Sequence, residues 1–263
     1  MQHGEVDHLR EHPNFGLVNT KPDYGFDRNV GKDWWAGVRD LPSAERHPEA
    51  FAEAAKHPPV GAGRPPKVTS YAALGKELEA RCGAFMAHGK PVRVTYDTED
   101  YFMATHCDGR IMLSTHFHQT PKGGFNAAAE LRNGWNALAS GKQLTFKQEY
   151  AFESLWHEIL HNRQVLGRNM KKFSVPHVVM ETINQWTSRR TYHELLRSLG
   201  ATPSHQADIL KNGLAYGLWV RNFDSLLAHL GLHDANMLKA IRQMHETKPW
   251  HSYPEHLSAM LRK

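Results

Sequence analysis

The sequence predicts a mixed α+β fold: a small antiparallel sheet followed by a mostly helical C-terminal portion. Three observations carry this. Between residues 91 and 115 three short runs alternate in the manner of strands, and from Phe125 onward the apolar residues recur at helical spacing. A 40% hydrophobic content over 263 residues supplies a core for one large domain or two modest ones.

Residues 1–66 are polar and punctuated by Pro and Gly, ending in the run from His57 to Pro66. They are expected to form an irregular arm and linker, with a short helical pattern only over Ser43 to Lys56. Tyr71 to His88 reads as an amphipathic helix through Ala72, Leu74, Leu78, Cys82, Phe85 and Met86. Pro91 to Tyr96, Tyr101 to His106 and Arg110 to Thr115 read as strands, the last two joined by the turn-prone Cys107-Asp108-Gly109. Phe125 to Leu138 is expected to be a helix stopped by Ser140-Gly141. Thr145-Phe146-Lys147-Gln148 has the form of a capping box and opens a helix running to about Val165. Ser174-Val175-Pro176 suits another helix start, and that helix is expected to run to Leu199 with Gly200 as its C-cap. Pro203 to Lys263 is helical, broken at Gly213, Gly217, Gly231 and Pro249. The expected organisation is therefore an arm (1–66), a folded domain (67–200) and a helical portion packed on it (201–263).

Composition narrows the function classes. No run approaches about 18 uncharged apolar residues, which argues against a membrane span. The N-terminus has neither a basic nor an apolar signal region, so a cytoplasmic location is expected. Cys82 and Cys107 can form at most one bridge, and their spacing matches no metal pair. The 32 basic residues are nearly balanced by 27 acidic ones, so the net charge of +5 points only faintly to nucleic acid.

The segment His157-Glu158-Ile159-Leu160-His161 carries the chemistry. Four residues of α-helix turn the chain by about 400°, so the two histidines sit about 40° apart and one turn along, both able to reach one ion. Phe152, Leu155, Trp156, Ile159 and Leu160 lie on roughly the opposite arc, which is expected to enter the core while the histidines face a cleft. Glu158 projects beside such an ion and is placed to take a proton from an attacking water.

A catalytic zinc site wants a third protein ligand and an open position. Glu181, on the following helix, would reach the two histidines if that helix returns antiparallel. His177, one turn earlier, is its rival, and Gln185 or Asn184 would hydrogen-bond the outer nitrogen of a ligand histidine. No residue is assigned as an oxyanion donor, because Tyr192 lies about 16 Å along the axis from Glu181.

Two further clusters are read as supporting features. His116-Phe117-His118, with His106 across the hairpin, puts imidazoles on one strand face, which offers a second metal site as one reading; no acidic residue stands near them in sequence, so the favoured expectation is polar residues at the sheet margin. Arg189, Arg190 and Arg197 are expected to form a solvated helix face.

These residues resemble the zincin metallopeptidases, and with Glu181 on the next helix the chain is similar to the gluzincin subgroup. The likeness spans about Pro91 to Leu199 in its order of elements. It implies a zincin-like fold, Zn2+ held by His157, His161 and Glu181, Glu158 as general base, and a peptide or protein substrate. It also ranks Glu181 above His177, and implies that a strand edge beside the motif helix holds extended substrate. Gln185 stands where the family often has an aspartate behind its histidine. The segment from Lys21 to Trp34 resembles a part of Mu-type phage head-morphogenesis proteins, which implies a phage or prophage origin and association with a virion. Arg28 and Val30 depart from that pattern. The competing functions are a phage-derived structural or partner-binding protein with a structural metal or none, and a basic nucleic-acid-binding module.

Overall fold

The computed structural model describes residues 63–82, 85, 93–106, 108–168, 170–232 and 235–262, and the backbone of two short strands in the arm. Those strands, β1 (Leu9–His12) and β2 (Gly16–Asn19), pair antiparallel. The segment Lys21 to Trp34 and the helical pattern at Ser43 to Lys56 lie outside the described residues, as do the end of the Tyr71 helix and Cys107. The chain divides into two compact units: Ala54–Arg163 with Ser188–Leu210, and Met1–Glu53 with Gln164–Thr187 and Lys211–Lys263. The architecture is α+β, and among the described residues no helix is long and apolar enough to cross a membrane.

The unit containing the histidine motif begins with α1 (Tyr71–Cys82), which buries Leu74, Leu78 and Cys82. Strands β3 (Arg93–Asp97), β4 (Met103–Thr105) and β5 (Arg110–Ser114) form a sheet of order β3-β5-β4. The expectation of an antiparallel sheet is corrected here, because β4 and β5 pair antiparallel while β3 and β5 run parallel. The physical reason lies in apolar content. Ile111 and Leu113 of β5 are completely buried, so β5 takes the centre, and the connection of about a dozen residues after β3 is long enough for a parallel pairing. β4 is left at the sheet edge.

Helices α2 (Ala127–Ala139) and α3 (Phe146–Arg163) pack against each other and against this sheet. Asn126 caps α2, its side chain accepting from Ala129 N at 2.8 Å. The capping box at α3 forms as its sequence requires: Thr145 N donates to Gln148 Oε1 at 3.0 Å, and Gln148 N donates to Thr145 Oγ1 at 3.3 Å. Gly134 lets α2 approach α3 closely, since a Cβ there would meet Phe152 at 3.0 Å and Gln148 at 3.1 Å.

The expected amphipathic exposure of α3 is also corrected. The helix is buried on nearly every side, from Glu149 to Leu160 without interruption. Trp156 and Phe152 are fully inside, each contributing roughly 1.5–3 kcal/mol by burial, but so are the polar residues Glu149 and Glu153. A buried carboxylate must find donors. Glu149 accepts from Tyr192 Oη at 2.5 Å, Ser204 N at 2.9 Å, Ser204 Oγ at 3.0 Å and His205 N at 3.0 Å.

The helix expected from Ser174 to Leu199 is divided into α4 (Val175–Thr191) and α5 (His193–Ser198) at Tyr192, whose backbone stays in the helical region and whose hydroxyl donates to Glu149. The last turn of α4 is fastened to α3: Ser188 Oγ donates to Glu153 O at 2.9 Å, and Trp156 Nε1 donates to Thr191 Oγ1 at 2.8 Å. Helix α6 (Gln206–Asn212) follows.

In the other unit, the residues of α4 up to Thr187 pack with α7 (Gly217–His229), α8 (Ala235–Thr247) and α9 (Tyr253–Leu261). Its core gathers Met180, Ile183, Trp186, Phe223, Ile241 and Leu257. Trp186 Nε1 donates to Asp224 Oδ1 at 2.6 Å. The helical run is broken where expected, between α6 and α7: Tyr216 at φ 52° turns the chain and Gly217 opens α7.

Candidate metal and acid-base site

His157, Glu158 and His161 stand in the last two turns of α3, in the unit that contains the sheet. The helix turns the two imidazoles toward each other, Nε2 to Nε2 at 2.9 Å with ring centroids 4.6 Å apart. His157 is buried, and His161, in the final turn, is partly open. These donors fit a zinc ion: both nitrogens can lie about 2.0–2.1 Å from one point, and a rotation of a few tenths of an ångström would widen the pair to a tetrahedral spacing. Without an ion the same contact is a hydrogen bond, with one imidazole protonated at Nε2 and the other not.

Glu158 is also buried, and its carboxylate is held by a residue that the motif does not contain. Thr105, on the edge strand β4, directs its hydroxyl to Glu158 Oε2 at 2.7 Å and lies 3.0 Å from the Glu158 carbonyl. A hydroxyl has one proton, and the shorter contact takes it. The turn that follows β4 is tied to the same helix by Asn162 Nδ2 donating to Gly109 O at 3.1 Å. Strand β4 therefore runs beside the motif turn and fixes the Glu158 rotamer. Thr105 carries no motif signature, and only its place in the Tyr101 to His106 strand run pointed to it.

Glu181 and His177 lie on α4, in the other unit. Glu181 is 9% exposed, so it is not a solvated helix carboxylate. His177 Nε2 stands 3.8 Å from Glu181 Oε1, and His177 Nδ1 faces the Phe173 backbone N–H at 3.4 Å. His177 thus neighbours Glu181 on the face where the two were rivals. Asn184 Oδ1 accepts from Gln164 Nε2 at 3.1 Å, and Gln185 is buried. Tyr192, left without a catalytic role by the sequence, serves Glu149.

The solvated reading of the arginine face does not hold for Arg189, which is completely buried. The histidines on the sheet margin are ordered more tightly than expected. His118 Nε2 lies 3.1 Å from Tyr101 O, and Asp100, immediately before Tyr101, brings a carboxylate to within 3.5 Å of His118 Nδ1 and 3.9 Å of His116 Nε2. The absent acidic partner was absent only in sequence. His106 lies instead against Asp108, Nδ1 to Oδ1 at 3.0 Å. Burial holds the His118 imidazole below its usual pKa range. Burial, then the hydrogen bond to Asp97, pushes the Tyr101 phenol above its own, with the negative charges of Asp97, Glu99 and Glu158 adding to the shift.

A scan against protein-family models and searches of curated proteins and of solved structures gave no match for this chain.

Proposed function

We propose that the protein is a zinc-dependent peptidase in which His157, His161 and Glu181 hold the ion and Glu158 is the general base. The observation that carries this reading is the meeting of two functions on one turn of α3: a pair of imidazole nitrogens 2.9 Å apart, and between them in sequence a buried glutamate whose carboxylate is aimed by Thr105.

Glu181 is the third ligand that the sequence offers: it lies on α4, the helix that follows the motif, and at 9% exposure it is not a merely solvated carboxylate.

Zinc bound there would supply a Lewis acid and lower the pKa of water. Glu158 would accept the proton of the attacking water and return it to the leaving amine, and its fixed rotamer spares the cost of orienting it for each turnover. β4 is an edge strand of the described sheet and lies beside that glutamate, a placement that suits an extended peptide adding to the sheet as a further strand. The expected substrate class is accordingly an unfolded segment or exposed loop of a protein.

Glu158→Gln is the deciding variant. It is expected to retain one equivalent of zinc while hydrolysis of an unstructured protein substrate falls by at least about 10²-fold. His157→Ala is expected to lose the zinc. Undiminished hydrolysis by Glu158→Gln, or wild-type protein that binds no zinc when supplied with it, would refute the reading.

A further inference from the structure

We infer that Asp100, His116 and His118 form a second divalent-metal site, separate from the motif on α3. Each of the three offers one ligand atom, and those atoms lie within 4.8 Å of one another. All three belong to the unit that contains the sheet, with Asp100 on the loop before β4 and the histidines on the loop after β5. The inference does not rest on the peptidase reading, because none of its ligands takes part in that site.

His118 is the fixed member. Its backbone N–H donates to Phe125 O and its carbonyl accepts from Phe125 N, both at 2.8 Å, and its ring meets Phe102 edge-on at 4.7 Å between centroids. Nε2 faces the Tyr101 carbonyl at 3.1 Å. A carbonyl can only accept, so Nε2 carries the hydrogen and Nδ1 of the neutral ring carries the lone pair. This is the arrangement found behind metal-binding histidines, in which the outer nitrogen donates to a backbone carbonyl and the inner one is left basic and aimed.

What Nδ1 is aimed at is the Asp100 carboxylate, 3.5 Å away, with His116 Nε2 at 3.9 Å from the same oxygen. Two lone-pair-bearing groups facing each other at that distance repel unless a proton or a cation stands between them. A transition-metal ion about 2.0–2.2 Å from each atom satisfies all three, and the two spacings to Asp100, 3.5 and 3.9 Å, need to close by no more than about half an ångström to meet tetrahedral geometry. His118 is nearly enclosed, whereas the side chains of Asp100 and His116 are 56% and 43% exposed. The two exposed ligands can close on an ion held first by the buried one, and the open side leaves room for water. Two imidazoles and one carboxylate with open positions suit Zn2+, Co2+ or Fe2+ and are a poor match for Ca2+ or Mg2+.

The test uses the full chain and Co2+ as a spectroscopic probe. Wild type and Asp100→Asn are titrated, and the difference between them decides. Asp100→Asn and His118→Ala are each expected to bind one equivalent fewer than wild type, or to bind it at least about tenfold more weakly, whereas His106→Ala is expected to match wild type. In His157→Ala/His161→Ala one equivalent should remain and vanish on adding Asp100→Asn. As a second readout, Co2+ should raise the melting temperature of His157→Ala/His161→Ala but not of the variant that also carries Asp100→Asn. Equal binding by wild type, Asp100→Asn and His118→Ala would overturn the inference, whatever the state of the other site. Asp100 is exposed, so its substitution leaves the fold intact and the comparison valid.

Discussion

Thr105 Oγ1 lies 2.7 Å from Glu158 Oε2, so a strand residue with no place in the motif orients the carboxylate at the motif's centre. Thr105→Val keeps the shape and deletes the donor. Without the hydroxyl the Glu158 carboxylate loses the contact that sets its rotamer, so kcat is expected to fall several-fold with KM little changed and zinc content unchanged. An undiminished kcat would show that the threonine only packs.

Glu149 is the pin that holds Tyr192 and the Ser204-His205 backbone to α3. Glu149→Ala leaves several buried donors unsatisfied and is expected to cost about 3–5 kcal/mol, seen as a lower urea midpoint. Tyr192→Phe removes one bond and is expected to cost about 1–3 kcal/mol, because a hydrogen bond to a charged group is stronger than average. A near-neutral Glu149→Ala would mean that the network is not cooperative.

Gly134 is a place where helix propensity and packing oppose each other. Alanine would gain up to about 1 kcal/mol of propensity in α2, but its Cβ would press on Phe152 and Gln148 at 3.0–3.1 Å. Overpacking typically costs about 1–3 kcal/mol, so Gly134→Ala is expected to lower the melting temperature. An increase would show that α2 can slide on α3.

Burial pushes the Cys82 thiol from its ordinary 9.0 up to about 12. The folded state therefore favours the protonated form: the stability this contributes is complete below about pH 9 and is lost as pH rises toward 12. At pH 8 Cys82 is expected to resist alkylation in the folded protein and to react once urea unfolds it, read by mass spectrometry of its own peptide. Rapid labelling in the folded state would contradict its burial.

The sequence determined those features that depend on neighbours along the chain. The capping box at Thr145 and Gln148 fixes the start of α3, and the i, i+4 spacing of His157 and His161 brings two imidazoles together on any helix, so both were legible from residue order alone. Tertiary structure decided what depends on residues far apart. Whether β3 would lie beside β4 or β5 turned on which strand was apolar enough for the centre, and the burial of α3 on nearly all sides turned on whether Glu149 could find donors more than forty residues away. The acidic partner of His116 and His118 is likewise remote in sequence, and so is the threonine that holds Glu158. Helical geometry repeats every few residues and is written locally, whereas the partners of buried polar groups come from wherever the chain returns, and only the folded protein shows where that is.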